Sequence, residues 1–190
     1  SIERFSDEEK RQELPFFEDL IFVESYLKEL DTLISEPFIE NFLLENKKII
    51  NNDLAKIHKS YPHQKDFSHI TRALNTNKLI IYDNLYPNFE LVDSFITNNE
   101  DFKVLNIGNK YHLPLEILGI KYKGTYLKEF QEKEIIHAKP KKSFINYKKI
   151  KLNNDIDFSN KNEITLVYKI LGLSKIYSSP ISLINNSSLN

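Results

Sequence analysis

Residues 102–124 read FKVLNIGNKYHLPLEILGIKYKG, and this stretch decides the fold class. Apolar residues mostly alternate with polar ones over residues 102–107 and again over residues 115–123, as in strands with one buried face. A Gly-Asn pair and a Leu-Pro pair between the two segments are signals for a turn. Gly119 predicts a bulge or a close approach of the backbone in the second segment. The stretch therefore predicts two consecutive strands.

Strand patterns recur through the C-terminal half of the chain. We expect further strands at residues 89–95, 143–152, 163–171 and 173–183, and residues 79–82 form a short β-prone run. Turn residues separate these segments, and no helical run between them is long enough for a βαβ crossover. The pattern is typical of an antiparallel β-sandwich of six to seven strands.

The N-terminal part has the spacing of amphipathic helices. Apolar residues at steps of three and four predict one helix of about five turns: Phe16, Leu20, Val23, Leu27, Leu30 and Ile34. Residues 6–9 (Ser-Asp-Glu-Glu) match a capping box and predict a short helix before it. The helical spacing continues over residues 38–57, with a break or a new N-cap predicted at residues 51–53 (Asn-Asn-Asp), and Asp66 can cap one more short helix.

Together these patterns predict an α+β fold with three to five helices. The predicted parts are a helical region at residues 1–75, a β-sandwich domain at residues 76–184 and a polar tail at residues 185–190. Residues 1–100 carry 19 acidic and 11 basic side chains, whereas residues 101–190 carry 8 and 15. This asymmetry predicts a helical layer and a β layer that face each other or a partner.

Composition excludes several classes of function. The chain has no Cys, which excludes disulfides, thiolate metal sites and a catalytic cysteine. It has no P-loop, no G-x-G-x-x-G and no G-x-S-x-G motif, so we assign no catalytic residue and expect no cofactor. No apolar run approaches the ~20 residues of a membrane-spanning helix, and we expect no membrane span in this chain.

The residue usage points to a bacterial origin and to a longer parent protein. Asn, Lys and Ile are abundant, and their A/T-rich codons indicate an AT-rich, bacterial genome. The chain has no Met and begins at Ser1 within a charged segment. We therefore expect it to be a piece of a longer protein.

Three histidines lie within 12 residues and are the candidate metal ligands: His58, His63 and His69. Their spacing crosses a proline loop and differs from the spacings of compact zinc sites, in which ligands share one helical face. Asp53 or Asp66 would have to complete the shell. Solvated loop histidines are the alternative that we favour.

The densest basic stretch, residues 139–151, offers six candidate anion-binding residues: Lys139, Lys141, Lys142, Lys148, Lys149 and Lys151. Phe144 and Tyr147 lie between them, and cations interleaved with stacking aromatics are typical of nucleic-acid binders. The stretch has no Arg, the residue suited to bidentate phosphate contacts. A strand with lysines on its solvated face, where they deter edge pairing, is the alternative reading.

Residues 74–92, 102–124 and 166–182 together resemble a known family. The phrase N-K-Y-H-L-P-L-E-I-L-G-I in the middle segment and Y-K-I-L-G in the last are similar to an Ig-like region. This region precedes the kinase-like domain of bacterial CotH-like envelope proteins. The resemblance covers roughly residues 16–183 and implies an Ig-like accessory sandwich with a helical preface. Because the kinase-like segment would lie beyond the C-terminus, the resemblance implies no catalytic residue here.

The sequence thus predicts a non-catalytic accessory or interaction module of a larger, envelope-associated bacterial protein. Its expected partner is another protein or an adjoining domain of the same polypeptide, and its expected location is extracytoplasmic, with the cytoplasm left open. The first alternative is a structural component of a secretion or phage-type assembly. A nucleic-acid-binding module that uses residues 139–151 and a hydrolase with acids converging in a cleft are the others.

Overall fold

The computed structural model describes residues 18–35, 37–62, 68–98, 102–139, 143–152 and 164–184. The chain divides into two compact units. Ser25–Pro87 form the helical unit, and Ser1–Glu24 together with Asn88–Asn190 form the β unit. The described residues have an α+β fold, as the sequence predicts. None of the helices in the described ranges combines the length and apolar character that crossing a membrane requires.

The described part of the chain contains four helices: α1 (Leu20–Ile34), α2 (Phe38–Glu45), α3 (Lys47–Ser60) and α4 (Ser68–Leu85). Helix α1 confirms the predicted amphipathic helix, and Val23, Leu27 and Ile34 of its apolar stripe are buried. The Asp19 carboxylate accepts a hydrogen bond from the amide of Ile21 at 2.8 Å. Asp19 therefore caps α1, because it satisfies one of the amides that the first helical turn leaves without a partner.

The predicted helix break at residues 51–53 is wrong, since these residues lie inside α3. The break occurs at Asn46, whose amide and carboxamide nitrogens donate to the Phe42 carbonyl at 3.1 and 2.9 Å. The Asn46 carbonyl accepts from the amide of Ile50 at 2.9 Å, so α3 begins at once. Asn and Asp inside a helix cost only about 0.5 kcal/mol each, and the Asp53–Lys56 pair at 2.9 Å offsets part of that cost.

The predicted β-prone run at residues 79–82 is also wrong, because it belongs to α4. The side-chain amide of Asn84 donates to the Ile80 carbonyl at 2.7 Å, and the amide of Tyr86 donates to the Tyr82 carbonyl at 2.8 Å. The predicted domain boundary between residues 75 and 76 therefore falls inside this helix. A four-residue apolar run does not distinguish a strand from part of a helix.

The β unit holds two four-stranded sheets, with strand orders β5-β2-β1-β8 and β4-β3-β6-β7. Neighbouring strands are antiparallel except for β1 and β8, which are parallel. The described residues thus contain eight strands, which corrects the predicted six to seven. Their bounds are β1 Val92–Asn98, β2 Lys103–Asn109, β3 Leu115–Tyr122, β4 Thr125–Ile136, β5 Tyr147–Leu152, β6 Ile164–Ile170, β7 Ile176–Pro180 and β8 Ser182–Ile184.

Two features account for the extra strands. The predicted strand at residues 173–183 is divided at Ile181 into β7 and β8. Strand β4 was not predicted, because its sequence TYLKEFQEKEII is rich in charged residues. It pairs with β3 through a two-residue turn at Lys123 and Gly124, whose φ angles are 48° and 83°. Positive φ at both positions is the conformation of a tight hairpin turn.

The core of the β unit follows the alternation seen in the sequence. Leu115 and Ile117 of β3 are buried, as are Leu166, Tyr168 and Ile170 of β6. Apolar residues at alternating positions place their side chains on one face of each sheet. The buried residues of β3 confirm the one buried face that the sequence predicts for residues 115–123.

Gly119 confirms the predicted bulge and close approach. The pairing of β3 shifts register between Ile117 and Gly119. A Cβ atom on Gly119 would lie 2.3 Å from the Lys128 carbonyl oxygen. Only glycine fits here, because any side chain would meet the backbone of the neighbouring strand.

Candidate binding cleft and apolar helical surface

The β unit contains a cleft of about 400 Å³ between the end of β4 and the segment that leads into β5. One wall is formed by residues 135–139, and the other by Phe144, Asn146, Tyr147 and Lys148. Two lysines, a histidine, two asparagines and two aromatic residues thus line one concavity. We call this site the lysine cleft.

A buried asparagine positions the first wall. The Asn109 carboxamide donates to the carbonyls of Leu113 at 2.8 Å and His137 at 3.0 Å, and it accepts from the amide of Tyr111 at 2.7 Å. The amide of Lys139 donates to the Tyr111 carbonyl at 2.9 Å. Because every polar atom of the Asn109 side chain is satisfied, the chain at residues 137–139 is held beside the end of β2.

A glycine and a tyrosine position the second wall. A Cβ atom on Gly108 would lie 2.3 Å from Ile145 and 2.9 Å from Tyr147, so glycine allows this segment to lie against β2. The Tyr147 hydroxyl donates to the Asp93 carboxylate, and its ring meets Phe95 edge to face at a centroid distance of 5.2 Å. This hydrogen bond, with some burial and the charge of Asp93, raises the pKa of Tyr147 above its usual value.

The two lysines of the cleft differ in their electrostatic surroundings. The Lys148 ammonium bonds to the Glu134 carboxylate and donates to the Ile135 carbonyl at 3.3 Å. Among the described residues, no carboxylate forms an ion pair with Lys139, which is half-buried. The Phe144 side chain is 94% exposed at the mouth of the cleft. Among its described residues, the cleft therefore offers one positive charge without a carboxylate partner, beside the exposed Phe144.

Four of the six candidate lysines lie in the described residues, and the structure does not bring these four together. Lys139 and Lys148 line the cleft, whereas Lys149 and Lys151 alternate with Lys148 and Ile150 along β5 and are exposed on its other face. The Lys151 ammonium lies 4.7 Å from the ring centroid of Phe102. The remaining two candidates, Lys141 and Lys142, lie outside the described residues.

The described residues give no support for a metal site at the three candidate histidines. His58 is exposed in the last turn of α3. His63 and the side chain of His69 lie outside the described part of the chain. Within that part, no three His, Asp or Glu side chains are grouped so that they could hold a metal ion.

The helical unit exposes large apolar side chains. Neither α2 nor α3 has a buried residue. The exposed apolar side chains of α2, α3 and α4, which we call the apolar helical surface, are Phe38, Phe42, Leu44, Ile49, Ile57, Leu79, Ile80 and Tyr82. The exposed fraction reaches 70% at Leu44, 64% at Leu79 and 62% at Ile49. The apolar stripe of an amphipathic helix normally faces a core, so these exposed side chains are a candidate contact surface.

A second concavity of about 370 Å³ lies within the helical unit, between α1 and α4. Ile34, Leu79 and Tyr82 form its apolar lining, and the Tyr86 hydroxyl donates to the Asp31 carboxylate at its edge. This hydrogen bond joins α1 to the residue that follows α4. The concavity continues the apolar character of the unit, and sequence periodicity alone did not locate it.

Comparisons of the chain with protein-family models, with curated proteins and with solved structures found no match. Function is therefore inferred from the residues of the chain itself, and chiefly from the lysine cleft and the apolar helical surface.

Proposed function

We propose that this chain is a non-catalytic interaction module of a larger, envelope-associated bacterial protein, and that its apolar helical surface contacts a protein partner. The observation that carries the proposal is that α2 and α3 are amphipathic and yet bury no residue. Burying one large apolar side chain contributes about 1.5–3 kcal/mol. Burial of the exposed apolar side chains of this unit against a partner would therefore stabilise the complex.

The helical unit has no net charge, and this supports a contact made through apolar side chains. Residues 25–87 contain eight acidic and eight basic side chains. A unit without net charge does not attract a partner by long-range electrostatics. We therefore expect the partner to present an apolar surface, such as the apolar face of a helix, and to be either a separate protein or an adjoining domain of the same polypeptide.

We propose further that the β unit is an Ig-like sandwich. Two four-stranded sheets with buried inner faces support this architecture. The Ser94 hydroxyl donates to the Pro180 carbonyl at 3.3 Å and so links a strand of one sheet to a strand of the other. The Ig-like type, the envelope location and the kinship with CotH-like proteins are supported by the sequence resemblance at residues 74–92, 102–124 and 166–182.

Site-specific photo-crosslinking in the cells that produce the protein tests the proposal. A benzoylphenylalanine at position 42 or 49 of the full gene product is expected to crosslink to one defined polypeptide or to an adjoining region of the same chain. Position 176, an exposed isoleucine of the β unit, is the matched control and is expected to give little product.

Three outcomes separate the alternatives. Crosslinks at positions 42 and 49 but not at 176 support the module. A regular ladder of the protein with itself would instead support the structural component of a large assembly. Equal crosslinking at all three positions, or none at any, would contradict a dedicated helical interface.

A further inference from the structure

The lysine cleft has the size and chemistry of a small-ligand site. Its volume of about 400 Å³ lies in the range of roughly 300–1,000 Å³ found for such sites. A half-buried ammonium, a solvent-facing aromatic ring and polar side chains meet there, as is typical of sites that orient a ligand through a few convergent polar groups. The fully bonded Asn109 makes its framework rigid.

We propose that the lysine cleft binds an acidic sugar, that is, a pyranose ring bearing one carboxylate, as a residue of an acidic polysaccharide. The Lys139 ammonium binds the carboxylate, and the Phe144 ring supplies an apolar platform for the face of the sugar. The Asn146 carboxamide and the His137 imidazole lie on opposite walls and bind the ring hydroxyls. This ligand site is independent of the apolar helical surface.

The number of uncompensated charges determines how acidic the ligand is. Lys148 already neutralises Glu134, so it adds no net charge to the cleft. Lys139 is the cation of the cleft that lacks a carboxylate partner among the described residues. Within the described part of the cleft, the Lys139 ammonium complements one carboxylate, and a charge-assisted hydrogen bond is about twice as strong as a neutral one.

The polar groups around the ring favour a sugar over a simple aromatic acid. A carboxamide both donates and accepts hydrogen bonds, and a neutral imidazole does the same through its two nitrogens. Hydroxyl groups of a pyranose likewise donate and accept, so they can pair with both side chains. An aromatic acid would stack on Phe144 but leave Asn146 and His137 without partners in the ligand.

The geometry favours a sugar over single-stranded nucleic acid. A nucleic-acid groove needs a row of cations along the backbone and several rings on which successive bases stack. Here Lys149 and Lys151 lie on the other face of β5.

Titration of the full chain with tetragalacturonate, followed by NMR chemical shifts, tests the proposal. We expect shift changes confined to the cleft, saturable binding in the range of about 0.1–1 mM and a weak dependence on salt. Lys139→Gln and Phe144→Ala are each expected to weaken binding about tenfold, because they remove the charge-assisted bond and the platform. Unchanged amide spectra away from the cleft confirm that the variants fold.

Matched variants leave the cleft intact. Lys149→Gln removes the same charge from the opposite face of β5, and Phe42→Ala removes an exposed phenylalanine from α2. Both are expected to change the affinity less than twofold. Loss of affinity in Lys149→Gln equal to that in Lys139→Gln would overturn the proposal, because a diffuse charge effect would then explain the binding.

Other ligands decide between the competing classes. The neutral tetragalactoside and benzoate are expected to bind at least tenfold more weakly than tetragalacturonate. Tighter binding of oligothymidylate that falls steeply with salt would replace the proposal with nucleic-acid binding, and absence of tetragalacturonate binding at about 10 mM would refute it. None of these results depends on crosslinking at positions 42 and 49, so failure here and failure of the helical interface are distinguishable.

Discussion

The two units of this chain treat their apolar residues in opposite ways. In the β unit, strands β2, β3 and β6 bury almost all of their apolar side chains. In the helical unit, α2 and α3 bury none. The contrast teaches that similar apolar content can serve two purposes. In the β unit it is buried and stabilises the fold, whereas in α2 and α3 it stays exposed, which is the basis of the proposed partner contact.

The units also differ in charge, but the difference does not follow the division of the sequence near residue 100. The excess of acidic residues before position 100 does not belong to the helical unit, whose acids and bases are equal in number. Residues 1–24 account for much of it, with eight acidic and three basic side chains. The predicted acidic helical layer is therefore replaced by a neutral helical unit beside a short acidic N-terminal segment in the sequence.

The largest expected effect is on the free energy of unfolding, and it comes from comparing a buried side chain of the β unit with an exposed one of the helical unit. Leu105→Ala removes a fully buried side chain from β2 and should lower the free energy of unfolding by about 3–4 kcal/mol, because it leaves a cavity. Phe42→Ala in α2 removes a larger side chain that is 52% exposed and should change stability by less than about 0.5 kcal/mol. Urea unfolding followed by circular dichroism measures both, and equal losses would contradict the comparison.

The next effect tests how tightly the β unit is packed. Gly119→Ala places a methyl group against the Lys128 carbonyl oxygen and should cost about 2–3 kcal/mol through strain. Gly124→Ala meets no atom within 4 Å but lies at a φ of +83°, which should cost about 1 kcal/mol. Thermal unfolding of the two variants should preserve this order, and the reverse order would exclude close packing at Gly119.

Two tyrosine hydroxyls provide a smaller, matched test across the units. The buried Tyr168 hydroxyl accepts from the amide of Leu91 at 3.3 Å and bonds to Ser179 at 2.8 Å. Tyr168→Phe leaves those partners buried and should lower stability by about 1.5–2 kcal/mol. Tyr86→Phe removes a hydroxyl that is bonded to Asp31 in a partly buried site. Water can replace it at the carboxylate, so we expect a smaller loss of about 1 kcal/mol. Denaturant midpoints that coincide would contradict this difference.

The smallest effect on stability concerns the Tyr147–Asp93 pair beside the cleft. The pKa of Tyr147 is raised above 10.0 by the hydrogen bond to Asp93, by burial and by the charge of Asp93. The folded protein therefore holds this proton more tightly than the unfolded chain. The resulting stabilisation is complete below the unfolded pKa and is lost as the pH rises through the folded pKa.

Asp93→Asn should return the pKa of Tyr147 towards its usual value and remove this alkaline loss of stability. Because the chain has ten tyrosines, NMR of tyrosine ring carbons is needed to follow Tyr147 alone. Asp53→Asn in the helical unit is the control and should leave that titration unchanged. A pKa of Tyr147 that does not move in Asp93→Asn would show that Asp93 is not its cause.

Local sequence patterns correctly predicted those helices and strands in which the conformational preference of the residues agrees with the conformation that they adopt in the fold. Strands β2 and β3 were predicted because each has one apolar face and therefore an alternating pattern of apolar and polar residues. The bulge was predicted because a glycine interrupts that pattern at position 119. Strand β4 was missed because it carries charged residues along an edge, where pairing with β3 decides its conformation. The Lys123-Gly124 pair, which forms the turn before β4, was the sequence signal that could have predicted this hairpin. Residues 79–82 were misassigned because flanking helical residues outweigh the preference of a short apolar run.

The candidate site was predictable in its ingredients and not in its arrangement. The sequence displayed Lys139, Lys148, Phe144 and Tyr147 in one stretch. It did not indicate that Asn109, distant in the chain, would hold one wall, or that Glu134 would neutralise Lys148. Such contacts join residues that are far apart in sequence, and periodicity carries no information about them.

By itself, the sequence determined the fold class, the amphipathic helix α1, the alternating faces of the sheets and the absence of thiol chemistry, because each depends on residue type and on spacing within one element. The tertiary structure alone decided which lysine keeps an uncompensated charge, which aromatic ring faces solvent and which helices leave their apolar side chains exposed. These properties depend on which distant groups become neighbours, since burial and pairing arise only when separate elements meet.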